Sequence, residues 1–343
     1  MVVKQVTIIL YIILSVAFMS CDQDIDGPSQ LVLGEGIYIL NEGNFQQANA
    51  SVSYFNPAKD TVAQEVFSRV NGSKLGDVGQ SILQIGDLVY IVVNNSQKIE
   101  VCEASTFKRQ KTITGFDSPR YILPVTNDKV YVTDLFANGV YVVNVSSGAI
   151  EKKISVLGWT EAVWKKDAFA YITAPNTDQL FIIDTQIDAI VDSIKISLGG
   201  SGIVEDKTGR LWVLCGGDYV TKEKPALHYI DPAKKELLRT FVFEGAFDYP
   251  TRLNINSTLD SLMYINVDVF KMGIQESKLP NFPLIQAKGR NFYSMSILKD
   301  DDVLCIGDAK DFTQNGEVVL YSSQGHLMTS FPCGIIPTSF LFK

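Results

Sequence analysis

One strand motif with a large anchor residue returns seven times along this chain. The anchors are Tyr38, Tyr90, Tyr131, Tyr171, Trp212 and Tyr264, with Leu304 in the same role last, at spacings of 52, 41, 40, 41, 52 and 40 residues. A period near forty, with several short strands in each unit, is how a β-propeller blade reads in sequence. Seven units predict an all-β protein, a seven-bladed propeller of four-stranded blades. Function then belongs to loops gathered around a central channel.

The third unit shows the pattern. Residues 119–123 read as a first strand, 129–134 as a second, 139–144 as a third and 150–156 as a fourth. Each is rich in β-branched and aromatic residues, and Gly, Asn, Asp or Ser bounds it. Near-continuous apolar runs such as Tyr141-Val142-Val143 suit strands covered on both faces by neighbouring blades. The third strand, ending in a turn, recurs at 52–57, 180–184, 227–232 and 318–322. The first unit lacks an inner strand before Gly36, and residues 336–342 match 118–122 in pattern. The C-terminus is therefore expected to complete blade one and remove exposed strand edges.

The N-terminus reads differently. Lys4 supplies a positive charge, and residues 6–19 are apolar except for Thr7 and Ser15. That length is a signal-peptide core and is short for a membrane span. It ends in Phe18-Met19-Ser20-Cys21, which resembles a bacterial lipobox, with Phe18 where Leu is usual. The resemblance implies cleavage before Cys21 and lipidation of its thiol; the alternative is an ordinary secreted protein. The acidic run Asp22-Gln23-Asp24-Ile25-Asp26 resembles a surface-export signal of lipoproteins in gut bacteria of the Bacteroides type, and is otherwise a solvated linker. Three Asp-Ser/Thr-apolar triplets, beginning at Asp60, Asp192 and Asp260, resemble an O-glycosylation signal of such organisms. The expected organisation is a signal peptide at 1–20, a lipidated tether at 21–32 and one propeller domain at 33–343, displayed at the cell surface on the outer membrane.

With 30 basic and 38 acidic residues, net charge −8, and no basic cluster, the chain lacks what non-specific nucleic-acid binding requires. Cys102, Cys215, Cys305 and Cys333 are scattered over different units without metal-ligand spacing. They are expected as buried packing residues, although Cys305 and Cys333 share a blade, which leaves a disulfide open.

Two loop sets converge on one face of a propeller: those entering the first strand and those joining the second strand to the third. The second set contains Glu42, Asn44 and Phe45, then Asn95, Phe136, Asn176, Tyr219, Phe270 (in Asp268-Val269-Phe270) and Phe312. The first set contains Asp77, Gln80, Arg120, Trp159, Glu161, Tyr249, Arg252, Phe292 and Tyr293. Candidate ligand-binding residues are Asn44, Phe45, Asn95, Arg120, Phe136, Trp159, Asn176, Tyr219, Tyr249, Arg252, Phe270, Tyr293 and Phe312. Aromatic faces supply rigid apolar area and amides supply paired donors and acceptors. Such a funnel suits a large, flat, polar-edged ligand or a glycan. The competing reading tucks the aromatics under their loops and uses Asn and Asp to cap turns.

Catalysis has little support. His228 falls in a third strand and His326 in a turn, so no nucleophile–His–acid set and no pair of histidine ligands stands at the funnel. Asp77, Glu161 and Asp268 are the acids that convergence on a metal would require. No catalytic residue, metal site or required cofactor is assigned.

Residues 36–45, Gly-Ile-Tyr-Ile-Leu-Asn-Glu-Gly-Asn-Phe, followed by 51–57, Ser-Val-Ser-Tyr-Phe-Asn-Pro, resemble the opening blade of the YncE-like seven-bladed propeller lipoproteins of gut Bacteroides. The best understood members of that family are surface cobalamin-binding proteins, which capture corrinoids and pass them to a TonB-dependent outer-membrane transporter. The resemblance implies cobalamin as ligand and that transporter as partner, in an otherwise monomeric, non-enzymatic protein. The rival readings are a glycan- or protein-binding module and a metal-dependent propeller lyase or lactonase.

Overall fold

The computed structural model describes residues 31–343. The expected signal peptide, Cys21 and the acidic run lie outside the described residues. A compact unit spans Leu33–Lys343. It is built from seven antiparallel sheets, the blades of a propeller, six with four strands and one with three.

The repeated anchors sit on the second strand of each blade and are among the most buried large side chains. Tyr38, Tyr90, Tyr131, Tyr171, Trp212, Tyr264 and Leu304 all expose 2% or less. Burying a side chain of this size contributes about 1.5–3 kcal/mol. Some polar ends find partners: Trp212 Nε1 donates to Asp206 at 2.9 Å, and the Tyr38 hydroxyl to Gly34 O at 3.1 Å, whereas the Tyr90 hydroxyl is buried without a protein partner. The core lies between blades, not within them. Trp212, Leu214 and Leu227 of blade five pack with Leu253, Leu262 and Tyr264 of blade six, and Tyr90 and Val92 of blade two with Val130 and Val132 of blade three. That arrangement explains apolar runs without alternation, because both faces of an inner strand are covered.

The C-terminal strand Pro337–Phe342 pairs antiparallel with Ile37–Asn41, in the register Ile37 to Phe342, Tyr38 to Leu341 and Ile39 to Phe340. Two further hydrogen bonds join Gly36 and Lys343, at 2.9 and 3.0 Å. Phe340 enters the core between blades seven and one, with Ile37, Ile39, Phe55 and Phe331. Gly316 makes room for the closing strand, since a Cβ there would stand 2.6 Å from Pro337 Cδ. The first blade thus takes three strands from the N-terminal part of the sequence and its innermost strand from the C-terminus.

Blade six departs from the expected four strands. It holds only Thr251–Ile255, Ser261–Asn266 and Asp268–Gly273. The place of a fourth strand is taken by an irregular stretch carrying Pro280 and Pro283, residues that cannot donate to a ladder. The stretch returns to the sheet at one bridge, Val269 to Ile285. The two 52-residue intervals hold other insertions. One contains a short helix, Val66–Asn71, which buries Val66 and Phe67 and ends at Gly72 in the left-handed region. The other contains a long connection from Leu211–Cys215 to Ala226–Asp231. Among the described residues no helix is long and apolar enough to cross a membrane.

Cys305 and Cys333 do not bond. Both are free and buried, as are Cys102 and Cys215. Burial pushes the thiols of Cys102 and Cys305 up to about 12, which removes the reactive thiolate at neutral pH.

His228 is a structural residue of blade five, 2% exposed. Its Nε2 accepts the Ser197 N–H at 2.9 Å, which leaves the ring proton on Nδ1, 3.0 Å from Thr240 Oγ1. Burial drives its pKa down from 6.5 to about 4. A depressed folded-state pKa contributes stability that is full above the unfolded value and is lost as pH falls through the folded one. The protein is therefore expected to lose roughly 3 kcal/mol between pH 6.5 and 4 from this group. Denaturant titrations at stepped pH check this; a His228→Asn variant retaining the same slope between pH 6.5 and 5 would contradict it.

Candidate functional site at the channel mouth

The innermost strand of each blade lines the channel, and six of these strands break register near their first residues. The unpaired positions are Thr338 in blade one, Gln80 in blade two and Arg120 with Tyr121 in blade three. Ser201 in blade five, Arg252 with Leu253 in blade six and Tyr293 in blade seven complete them. A bulge frees a residue from the ladder and re-aims its side chain. In blade four Glu161 holds the equivalent place, just before Val163–Lys166, with its N–H bonded to Thr173 O at 3.0 Å. The forty-residue repeat thereby delivers one side chain per blade to a ring at the channel mouth.

Six members of that ring, all but Thr338, border a cavity of about 510 Å³, and Thr338 borders a second of about 340 Å³ further along the inner strands. Arg120 organises one side. Its Nε and Nη2 bind both oxygens of Glu161 at 2.7 Å each, and Nη1 bonds Gln80, so one guanidinium spans blades two, three and four. Arg252 organises the other, with Nε on Tyr293 O at 2.9 Å, Nη2 3.5 Å from Thr338 Oγ1 and the guanidinium 5.2 Å above the Tyr293 ring. The Tyr293 hydroxyl donates to Glu42 Oε1 at 2.8 Å. Burial raises the Glu42 carboxyl above the ordinary carboxylate range, and burial together with the Glu42 charge raises Tyr293. Inner strands are tied across blades by Ser81 Oγ to Arg120 O at 2.7 Å and Ser294 Oγ to Pro337 O at 2.6 Å.

The backbone here is unusual. Val78, Arg252 and Val267 all border the cavity and all have φ near +60° (58°, 58° and 62°). For β-branched residues this region is a true outlier, costing about 1–3 kcal/mol each. Such strain persists where surrounding contacts impose it, as the Asn94 N–H does on Val78 O at 2.8 Å.

Around this polar cavity the loop aromatics stand outward. Phe45 exposes 64% of its surface, Phe136 60% and Tyr219 99%, and Tyr249, Trp159 and Phe312 are also exposed. Phe136 meets Trp159 edge-on at 6.3 Å, and Phe312 meets Tyr293 edge-on at 5.7 Å. Of the candidate residues, Arg120, Tyr249, Arg252 and Tyr293 come together at the cavity.

Four candidates are placed otherwise. Phe270 is not in a loop: the turn is Val267 alone, and Phe270 lies in Asp268–Gly273, stacked on Tyr264 at 5.7 Å against the core of blades five and six. The three amides cap loops. Asn44 Nδ2 donates to Phe312 O at 2.6 Å, Asn95 Nδ2 to Asp77, and Asn176 Oδ1 accepts the Trp159 N–H at 2.7 Å. The acids Asp77, Glu161 and Asp268 do not converge, since Asp77 receives Gln46 N–H, Glu161 pairs with Arg120 and Asp268 receives Ala287 N–H. Among the described residues no group of three or more His, Cys, Asp or Glu side chains is placed to hold a metal ion.

Sequence reasoning passed over Tyr121 and left Glu42 and Gln80 off its candidate set. A usable signal existed: aligning the repeats on their anchors puts Gln80, Arg120, Glu161 and Ser201 at steps of 40, 41 and 40.

No curated protein matches the sequence. Among solved structures the chain is similar to a quinonprotein alcohol dehydrogenase-like protein from Bacteroides thetaiotaomicron, with a TM-score of 0.70 and 14% identity over 90% of this chain and 78% of that one. It is also similar to hydrazine synthase of Kuenenia stuttgartiensis, TM-score 0.60 and 16% identity over 76% of this chain and 88% of that one. The computationally designed Ika8 protein gives a TM-score of 0.60 and 11% identity over 92% and 93%. Likeness at these identities establishes the fold and nothing of the chemistry. A family model described as a domain of unknown function, DUF5074, matches residues 35–278, from the first blade through the last strand of blade six. Covered over more than half its length by that model, the protein belongs to the DUF5074 family.

Proposed function

We propose that this is a non-catalytic binding protein whose ligand enters at the channel mouth, and that the ligand is a corrinoid of the cobalamin class. The observation that carries the reading is the ring of exposed aromatic side chains around a polar, partly charged cavity. A corrin macrocycle is apolar on its faces and amide-bearing at its edge. Tyr249, Phe136 and Trp159 offer faces for the first, and Gln80, Ser201 and Tyr293 offer hydrogen-bonding groups for the second. Whole cobalamin is larger than the 510 Å³ cavity, so the macrocycle lies across the rim and only a substituent reaches the channel. Rim loops fixed by Asn44, Asn95 and Asn176 are preorganised, which favours slow release over fast capture.

The same reading places the protein on a lipid tether from Cys21 at the outer face of the outer membrane, delivering its ligand to a TonB-dependent transporter. Tyr219, Val220 and Phe247, exposed by 99%, 86% and 95%, supply apolar surface for a partner beside the ligand. The decisive measurement is co-elution of cyanocobalamin with residues 22–343 on a desalting column, read by visible absorbance. Stoichiometric colour with the protein is the expected result, and substitution of Tyr249 and Phe136 by Ala is expected to shorten retention of the ligand. A colourless protein peak would remove cobalamin and leave a glycan or protein ligand as the reading to test.

A further inference from the structure

We propose that the channel mouth contains a receptor for an anionic oxygen group, a carboxylate or phosphate carried by the ligand, with Arg252 as the docking cation. The inference rests on the mouth being a ligand site and adds the charge of the ligand.

The two arginines of the ring are in different states. Arg120 is neutralised by a two-point ion pair with Glu161 and has its third nitrogen on Gln80. Arg252 makes one good hydrogen bond, to Tyr293 O, and one long contact, to Thr338 Oγ1. Among the described residues no carboxylate lies within 4 Å of its guanidinium, whereas Arg120 and Arg210 each have one and Arg290 has two. The acids bordering the cavity are already engaged: Glu161 with Arg120, and Glu42 as acceptor from Tyr293. Glu42 interacts with Arg252 only through the field and not by contact, and a partly buried guanidinium without a carboxylate in contact has a fork of N–H groups suited to two-point recognition of a carboxylate or phosphate.

The cation is also held in place. Its backbone has φ +58° within the blade-six bulge, its Nε is fixed on Tyr293 O, and its plane lies over the Tyr293 ring. Three constraints hold the guanidinium at the cavity that Ser201 and Tyr249 also border. Preorganised charge of this kind loses little entropy on binding.

The test uses phenyl phosphate and benzoate as anionic probes, with phenol as the neutral match, titrated by calorimetry against wild type, Arg252→Ala and Arg252→Gln. Melting temperatures of the free variants confirm folding, and Gln keeps a donor near Tyr293 O without the charge. Binding of either anion at least ten-fold tighter than phenol, lost in both variants, is expected; which anion binds identifies the group as phosphate or carboxylate. Equal binding of phenol and the anions to wild type, or anion binding unchanged in the variants, overturns the proposal. Parallel titrations with cyanocobalamin, whose one anionic group is a phosphodiester, and with dicyanocobinamide, which lacks it, separate this from the corrinoid reading. Arg252-dependent anion binding without corrinoid binding sinks the corrinoid alone. Corrinoid capture that ignores Arg252, with no anion binding, sinks the anion receptor alone.

Discussion

A chain ending at Ile336 is expected to lose the closed ring and not merely its last strand. The missing residues supply the innermost strand of blade one, and without them Ile37–Asn41 presents an unpaired edge along the channel. The ladder and the paired bonds between Gly36 and Lys343 go together, as does Phe340 from the core of blades seven and one. The Lys343 ammonium, 4.3 Å above the Tyr38 ring, goes with them. Removal of Phe340 alone is a deletion costing about 3–5 kcal/mol. With the ladder included, the loss approaches the 5–15 kcal/mol that holds a typical domain together. The expected outcome is aggregation through the open edge, or a melting temperature lower by more than about 10 °C. Gel filtration and thermal denaturation decide it, and a monodisperse truncated protein with an unchanged melting temperature would refute closure as the source of stability.

Arg120→Ala is the second large effect. The side chain joins three consecutive blades through Glu161 and Gln80, and Glu161, 9% exposed, would be left without a counter-charge. Removing one partner of a buried ion pair costs about 3–5 kcal/mol. Water in the adjoining cavity relieves part of that, so a loss of about 3 kcal/mol is expected. Arg120→Lys should recover little, because an ammonium cannot reproduce the two-point contact. The diagnostic comparison is Arg120→Ala with Glu161→Gln, singly and together, by denaturant unfolding. If the pair matters as an ion pair, the double variant is more stable than the sum of the single losses. Additive losses would mean that the two residues act independently and that the ring at the mouth is not a connected unit.

Much of the architecture was legible before any coordinates. The anchors at Tyr38, Tyr90, Tyr131, Tyr171, Trp212, Tyr264 and Leu304 are local features of second strands, and a buried strand writes its burial into adjacent residues. Closure was legible because residues 336–342 repeat the pattern of 118–122. Blade six was misread on strand count, although Pro280 and Pro283 stood where a fourth strand would need donors.

The candidate site was legible only in part. Loop aromatics such as Phe136 and Tyr219 were found because their loops could be counted. Phe270 was not, because the turn before it is one residue long and places it in a strand. Residues next to a strand boundary change sides with a single-residue shift, which composition does not report. The amides of Asn44, Asn95 and Asn176 read equally well as ligand contacts or loop caps, and only their partners distinguish the two.

The sequence by itself therefore determined the seven-bladed ring and its closure, because repeat length and apolar patterning are written in contiguous residues. Tertiary structure alone decided the chemistry of the mouth. Arg120 and Glu161 are a full repeat apart and meet because successive blades turn equivalent positions toward one axis. Arg252 stands there without a carboxylate in contact, because Glu42, whose charge it feels only at a distance, turns its oxygen to the Tyr293 hydroxyl.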